Sequence, residues 1–175
     1  MEINRVDSGE RLNETACRNG GLAGPSIRGF SMLNSKLSDD KRFLDDPIVP
    51  MTKQFTDARG SILPLADEEM KSAVVITSKK GSIRANHYHQ TDWHYCYVFS
   101  GSIDYYFRPV GDKQPPKHVK VKTGQIFFTP PMIEHAMCFP EDTAFVCLGR
   151  NSRAQAVYEA DVVRVDVVTS YTPPA

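Results

Sequence analysis

Gly81-Ser82-Ile83-Arg84-Ala85-Asn86-His87-Tyr88-His89-Gln90-Thr91-Asp92-Trp93-His94-Tyr95-Cys96-Tyr97-Val98-Phe99-Ser100-Gly101 carries three of the chain's five histidines. His87 and His89 are two positions apart, a spacing that puts both imidazoles on one face of an extended segment, where they can share an ion. A turn over Gln90 to Trp93 then brings His94 back to that face, at the head of a second β-rich run that Gly101 ends. His135, downstream, offers a fourth imidazole.

The spacing Gly81, five residues, His87-x-His89, four residues, His94, six residues, Gly101 resembles the first motif of the cupin superfamily. Gly124, five residues, Pro130-x-Met132, two residues, His135 resembles the second. The resemblance implies an all-β fold, a cupin-type double-stranded β-helix or jelly-roll barrel, with His87, His89, His94 and His135 as metal ligands. His94 occupies the usual glutamate position, Met132 a glycine position, and Phe139 one where asparagine is common.

Outside the motifs the chain reads as a single domain. Its 175 residues can bury a core without staples. Twenty-one basic against 21 acidic residues leave no net charge, which removes the electrostatic drive toward nucleic acid. Cys17, Cys96, Cys138 and Cys147 show no paired CxxC spacing, and the N-terminus lacks a charged stretch followed by an apolar one. Free thiols and a cytoplasmic location are expected. No apolar run approaches the ~20 residues of a membrane span.

Residues 1–46 are polar and Gly/Ser-rich without sustained periodicity, and read as an irregular N-terminal arm. Either it is disordered or it wraps a neighbouring subunit, with Phe30 to Leu33 able to dock. Residues 47–170 form the barrel and 171–175 a tail. The barrel strands are expected at Ile48 to Phe55, Ser61 to Leu65, Ala73 to Ser78, Ile83 to His89, His94 to Phe99 and Ile103 to Arg108. They continue at His118 to Val121, Gln125 to Phe128, His135 to Phe139, Ala144 to Leu148 and Val162 to Val168. Only Ser152 to Glu159 suits a helical turn or two. If His94 points inward, strand alternation carries Cys96 and Val98 with it, then Ile103, Tyr105 and Phe107, then Met137 and Phe139 after His135.

The resulting pocket is mostly apolar with histidine as its main polar group, the texture of a small-molecule site. Neutral imidazoles favour a divalent transition metal (Fe, Zn or Ni, with Cu also compatible) over Mg or Ca. His118, among lysines, is expected at the surface.

A closer likeness is to sugar-nucleotide cupins. Arg84-Ala85-Asn86-His87-Tyr88-His89 resembles the Arg-Gly-x-His-Tyr-x segment of the dTDP-sugar 3,5-epimerases, and Phe55-Thr56-Asp57-Ala58-Arg59-Gly60 resembles the Phe-x-Asp-x-Arg-Gly opening of those enzymes and the sugar ketoisomerases. The likeness implies Arg59 and Arg84 as diphosphate contacts and His87 as the base next to the sugar ketone. Met137 and Phe139 would face the substrate. The epimerases' acid tyrosine has no counterpart in Ala144 to Arg150, so Tyr105, or else Tyr106, would supply the proton. Arg-x-Asn-His-Tyr-His also looks like the cupin domain of certain capsular-polysaccharide reductases.

The expected function is a metal-binding, homodimeric cupin acting on a small ketone or nucleotide-linked sugar as an epimerase or isomerase, in surface-polysaccharide or secondary sugar metabolism. A non-haem Fe(II) dioxygenase with three or four histidine ligands is the alternative enzyme. A non-catalytic metal- or sugar-binding cupin is the alternative outside catalysis.

Overall fold

The computed structural model describes residues 41–51 and 54–174. The arm up to residue 40, with its docking stretch at Phe30 to Leu33, lies outside them, as does Cys17. From Lys41 a short 3-10 turn, Lys41–Leu44, runs into an extended stretch. Phe43 is buried against Phe128 with ring centroids 4.9 Å apart, and Ile48 makes an isolated bridge to Phe127. The strand expected from Ile48 to Phe55 does not form over its described residues before Phe55. Pro47 and Pro50 flank the bridge and lack the N–H that a ladder needs.

A hairpin follows, β1 (Phe55–Asp57) and β2 (Gly60–Ile62), and forms its own two-stranded sheet. The remaining strands build two antiparallel sheets. One has the order β3 (Ser72–Ser78), β10 (Thr143–Gly149), β5 (His94–Ser100), β8 (Ile126–Thr129). The other runs β11 (Val162–Arg164), β4 (Ile83–His89), β9 (Ile133–Cys138), β6 (Ser102–Pro109), β7 (Lys117–Lys122). Non-consecutive neighbours in both sheets are the jelly-roll signature, and the all-β expectation holds. Among the described residues one α-helix, α1 (Gln155–Asp161), sits where the sequence allowed a turn or two, and β11 stops four residues short of the expected Val168.

The inward phase read from His94 also holds. Cys96, Val98, Ile103, Tyr105, Phe107, Met137 and Phe139 all belong to one buried cluster that Val121, Phe127, Ile133, Phe145 and Cys147 complete. The two sheets bury this cluster between them, and their facing alternate residues make the barrel's floor. Gly101, at φ +82, closes the β5–β6 turn where a Cβ would lie 2.6 Å from the Asp142 carbonyl oxygen. The glycine that ends the first motif is therefore required by both conformation and space.

Candidate functional site

β4 carries an extra residue. Its register against β9 pairs Arg84 with Met137, Ala85 with Ala136, and then His87 with His135, leaving Asn86 over. Met137 and His135 are two apart on β9 and share a face, so their partners Arg84 and His87 share it too, although three apart. Ala85 (φ 67) and Asn86 (φ 51) supply the left-handed backbone of this bulge. Asn86 is fixed by its side chain: Oδ1 accepts from the amides of Val167 and Val168, and Nδ2 donates to the Val168 carbonyl. That strap of chain after β11 is held by the bulge instead of continuing as strand.

The bulge and the two motifs bring the histidines together. Ring centroids lie 4.7 Å apart for His87 and His135, 4.8 Å for His87 and His89, and 5.3 Å for His89 and His94. One ligand atom from each of His87, His89 and His135 can be chosen so that all lie within 4.8 Å of one another. His94 groups in the same way with Cys96 and Cys147, and with His89 and Asp92, rather than with that trio. All four line one cavity of about 190 Å³, together with Arg84, Met137, Cys147, Arg153, Tyr158 and apolar side chains.

Burial keeps these rings neutral. It drives His87 down to about 2 and His135 to about 3, with the charges of neighbouring histidines and Arg153 adding to the effect. His94 is pushed far down by the same cause, and burial lowers His89 despite its carboxylate partner. That partner is Asp161, whose Oδ2 lies 3.0 Å from His89 Nδ1. Burial alone would raise the Asp161 carboxyl, but hydrogen bonds from the Thr91 hydroxyl and amide, the Asp92 amide and His89 hold it below the ordinary value.

The donor set fits a transition metal. His89 donates its Nδ1 proton to Asp161 and His135 donates its own to the Ile133 carbonyl at 2.9 Å, so in each ring Nε2 carries a free lone pair. His135 Nε2 and His94 Nδ1 are buried without any hydrogen-bond partner. A carboxylate or carbonyl behind an imidazole is the arrangement that orients metal-ligating histidines, and a buried unpartnered nitrogen is costly unless something occupies it.

Other expected site residues are dispersed. Tyr105 is buried beneath the histidines, its hydroxyl 2.9 Å from Thr129 Oγ1 and its ionisation suppressed by burial, and it does not line the cavity. Phe139 stacks on Phe145 in the core and is likewise absent from the cavity wall. Both point inward as alternation requires, but deeper than the cavity. Tyr106 lies tilted against His118, ring centroids 4.7 Å apart, and His118 pairs with Asp104 at 3.1 Å on the half-exposed flank of β7. Arg59 is 86% exposed and paired with Asp57 across the β1–β2 turn, apart from the cavity lining. Arg84 lies at the cavity mouth, donating to Ser78 Oγ and the Thr77 carbonyl, and also lines an adjoining groove of about 670 Å³ with Thr77, Ser78, Lys79, Ser82 and Asp142.

Three site residues escape the sequence motifs: Arg153, Tyr158 and Asp161, on and before α1. Tyr158 places its ring 6.3 Å from His87 and 5.8 Å from His89, and Arg153 lies over it, 5.2 Å from the ring centroid. Arg153 Nη2 also donates to Cys147 Sγ at 3.1 Å. The spacing of Tyr158 and Asp161, three apart on a helix, was the one available signal that both face the same way.

The two facing antiparallel sheets with histidines converging inside define a cupin-type jelly roll. No protein-family model matches the chain, and no curated protein matches it in sequence. Solved structures share its fold. The sugar 3,4-ketoisomerase QdtA of Thermoanaerobacterium thermosaccharolyticum, solved with TDP, matches at TM-score 0.56 and 16% identity over 69% of this chain and 90% of that one. The dTDP-4-dehydrorhamnose 3,5-epimerase of Sulfolobus tokodaii matches at TM-score 0.54 and 17% identity, over 73% and 87%. The capsular polysaccharide assembling protein CapF of Staphylococcus aureus matches at 0.51 and 21%, over 68% of this chain but 33% of its own. Among the described residues no helix is long and apolar enough to cross a membrane.

Proposed function

We propose that the chain is an isomerase or epimerase of a small ketone, in particular a nucleotide-linked keto sugar. The observation that carries this is the pairing of His87 with Tyr158 across the small cavity, beside a wider groove that shares Arg84. The fold likeness to a sugar ketoisomerase and a sugar epimerase supports it.

The reaction needs a base for the proton beside the carbonyl and an acid to return one. His87 is neutral in its cavity and can accept. Tyr158, its phenol raised by burial, stays protonated and can donate. As the C–H bond breaks, its proton passes to His87 and the electron pair to the carbonyl oxygen. The imidazolium so formed is disfavoured by burial, but the enolate forms beside it, and in a dry cavity the two charges attract strongly. Arg84, at the mouth, suits a diphosphate in the groove because a guanidinium forks onto phosphate oxygens. Tyr158 takes the acid role that the sequence assigned to Tyr105.

Incubation with dTDP- and UDP-linked keto sugars in deuterium oxide tests this reading. Deuterium should enter at the carbon next to the ketone, and His87→Asn should stop it. No exchange with any such compound at millimolar concentration overturns it.

A metal-loaded state is the second reading, favoured by the free Nε2 atoms and the carboxylate behind His89. His87, His89 and His135 would hold a divalent Fe, Zn or Ni ion, with His94 beside them. The ion would supply Lewis acidity toward a carbonyl, or redox chemistry if iron. His87 cannot hold an ion and accept a proton with one lone pair, so elemental analysis separates the readings. Near-stoichiometric metal, lost on double replacement of His87 and His89 by Ala and kept in His118→Ala, supports the second.

A homodimer belongs to the same proposal. Val75, Val146 and Tyr97 form one row across the outer face of the β3–β10–β5 sheet, Val75 at 68% exposure and Phe99 exposed nearby. Light scattering with Val75→Glu tests whether two copies meet there.

A further inference from the structure

Arg153 is a cation in a cavity whose lining includes no carboxylate, although Cys147, Tyr158 and Asp92 favour its charge and it in turn helps to lower the Cys147 thiol. It stands between β10 and α1, and the other walls are histidines, Tyr158, Cys147 and the apolar Ile76, Met137 and Phe145, with Arg84 at the mouth. One of its donors reaches Cys147 and its plane covers Tyr158, but its Nε–H is buried with no acceptor. Among the described residues no carboxylate forms an ion pair with it. The nearby carboxylates accept their hydrogen bonds from other groups. Asp161 accepts from Thr91, Asp92 and His89, Asp92 accepts from the Asn151 amide, and Glu159 pairs with Arg164.

A guanidinium cannot shed its proton, so the positive charge stays. Cys147, Tyr158 and Asp92 favour that charge, but none of them accepts from the Nε–H, and a buried donor without an acceptor is costly. Arg153 is therefore set up for something not part of the chain.

We propose that Arg153 anchors an oxyanion subsite, and that the cavity binds a small molecule whose anionic oxygen accepts from the Arg153 Nε–H while its carbon frame lies against the histidines. At about 190 Å³ the cavity admits a group of carboxylate or enolate size. The groove at Arg84, at about 670 Å³, is the roomier place for a diphosphate. The two subsites therefore differ in the anion they take. The inference stands apart from the isomerase reading, because a permanent carboxylate would bind there even if the chain turned over no keto sugar.

Isothermal titration of the full chain with acetate and pyruvate tests for a permanent carboxylate. Solvent-deuterium exchange into hydroxyacetone, neutral until it loses a proton, tests for an enolate. Arg153→Gln should weaken carboxylate binding at least tenfold, or slow exchange at least tenfold without changing hydroxyacetone affinity. The first result identifies a carboxylate as the occupant and the second an enolate. Arg153→Lys should retain part of either effect, and Arg164→Gln, at the exposed end of β11, should alter neither. The melting temperature of ligand-free Arg153→Gln reports separately on the contacts to Cys147 and Tyr158; a purely structural arginine would give a lower melting temperature and no selective loss of binding or exchange. Carboxylate affinity and exchange both unchanged in Arg153→Gln, or both absent from the wild type, overturn the proposal.

Discussion

Arg84 and His87 face the same side of β4 although they are three residues apart, because Asn86 is an unpaired extra residue between them. The bulge rests on Asn86 in two ways: its left-handed φ of 51° and the three hydrogen bonds its amide makes to Val167 and Val168. Asn86→Val loses both and should cost about 3 kcal/mol in urea unfolding. Asn86→Gly loses only the hydrogen bonds and should cost about half as much, since glycine takes the φ freely. Equal stability of Asn86→Val and the wild type would remove the bulge from the account of how these two side chains meet.

Two of the three motif glycines separate conformation from space. At Gly124, φ +84, a Cβ would have nothing within 4 Å, whereas at Gly101 a Cβ would meet Thr143 Oγ1 at 2.5 Å and backbone at 2.6 Å. Gly124→Ala should therefore cost only the left-handed strain, about 1 kcal/mol, and Gly101→Ala clearly more, about 3 kcal/mol or greater. Chemical denaturation of the two variants side by side checks the order, and a reversed order would contradict the packing at the β5–β6 turn.

Legibility in the sequence followed periodicity. Alternation from His94 placed Cys96, Val98, Ile103, Tyr105 and Phe107 on the buried side because one face of each strand is in the core, which pins the phase. The same rule cannot give depth: it turns Tyr105 and Phe139 inward without showing that they lie under the cavity and not on its wall. It could not give the bulge either, since an inserted residue changes phase without changing composition. Arg153, Tyr158 and Asp161 reach the histidines through a chain reversal after β10, and nothing in their own spacing names the strand that they return to. Met132 shows the opposite case: at a motif glycine position it keeps the left-handed backbone, φ 59, and is half-exposed there.

The neutral histidines set a pH dependence whose sign is fixed. His87 and His135 sit at about 2 and about 3 in the folded chain against 6.5 when unfolded. Between those values the unfolded chain binds protons that the folded chain refuses, so stability is full above pH 6.5 and falls as the pH drops below it. Each such group changes stability by about 1.4 kcal/mol per pH unit within its window. Asp161, held below its ordinary 3.8, adds a further loss only below that value. Unfolding free energies at pH 7, 6, 5 and 4 should decline with a slope that His135→Gln lowers by about one proton. A flat profile over that range is incompatible with neutral buried imidazoles.

Tyr158 is the residue whose replacement best separates chemistry from architecture. Its ring packs between Arg153 and the pair His87 and His89, while no hydrogen bond holds its hydroxyl among the described residues. Tyr158→Phe therefore keeps the ring contacts and should leave the melting temperature within a degree or two, because removing a hydroxyl without a partner costs little. If the hydroxyl is the acid that returns the proton, product formation from a keto sugar should fall by about 100-fold or more. Proton removal by His87 should persist, so the variant should still exchange deuterium into the substrate while failing to release isomer. Exchange and product formation falling together would place Tyr158 in substrate positioning, and both remaining at the wild-type rate would take it out of the reaction.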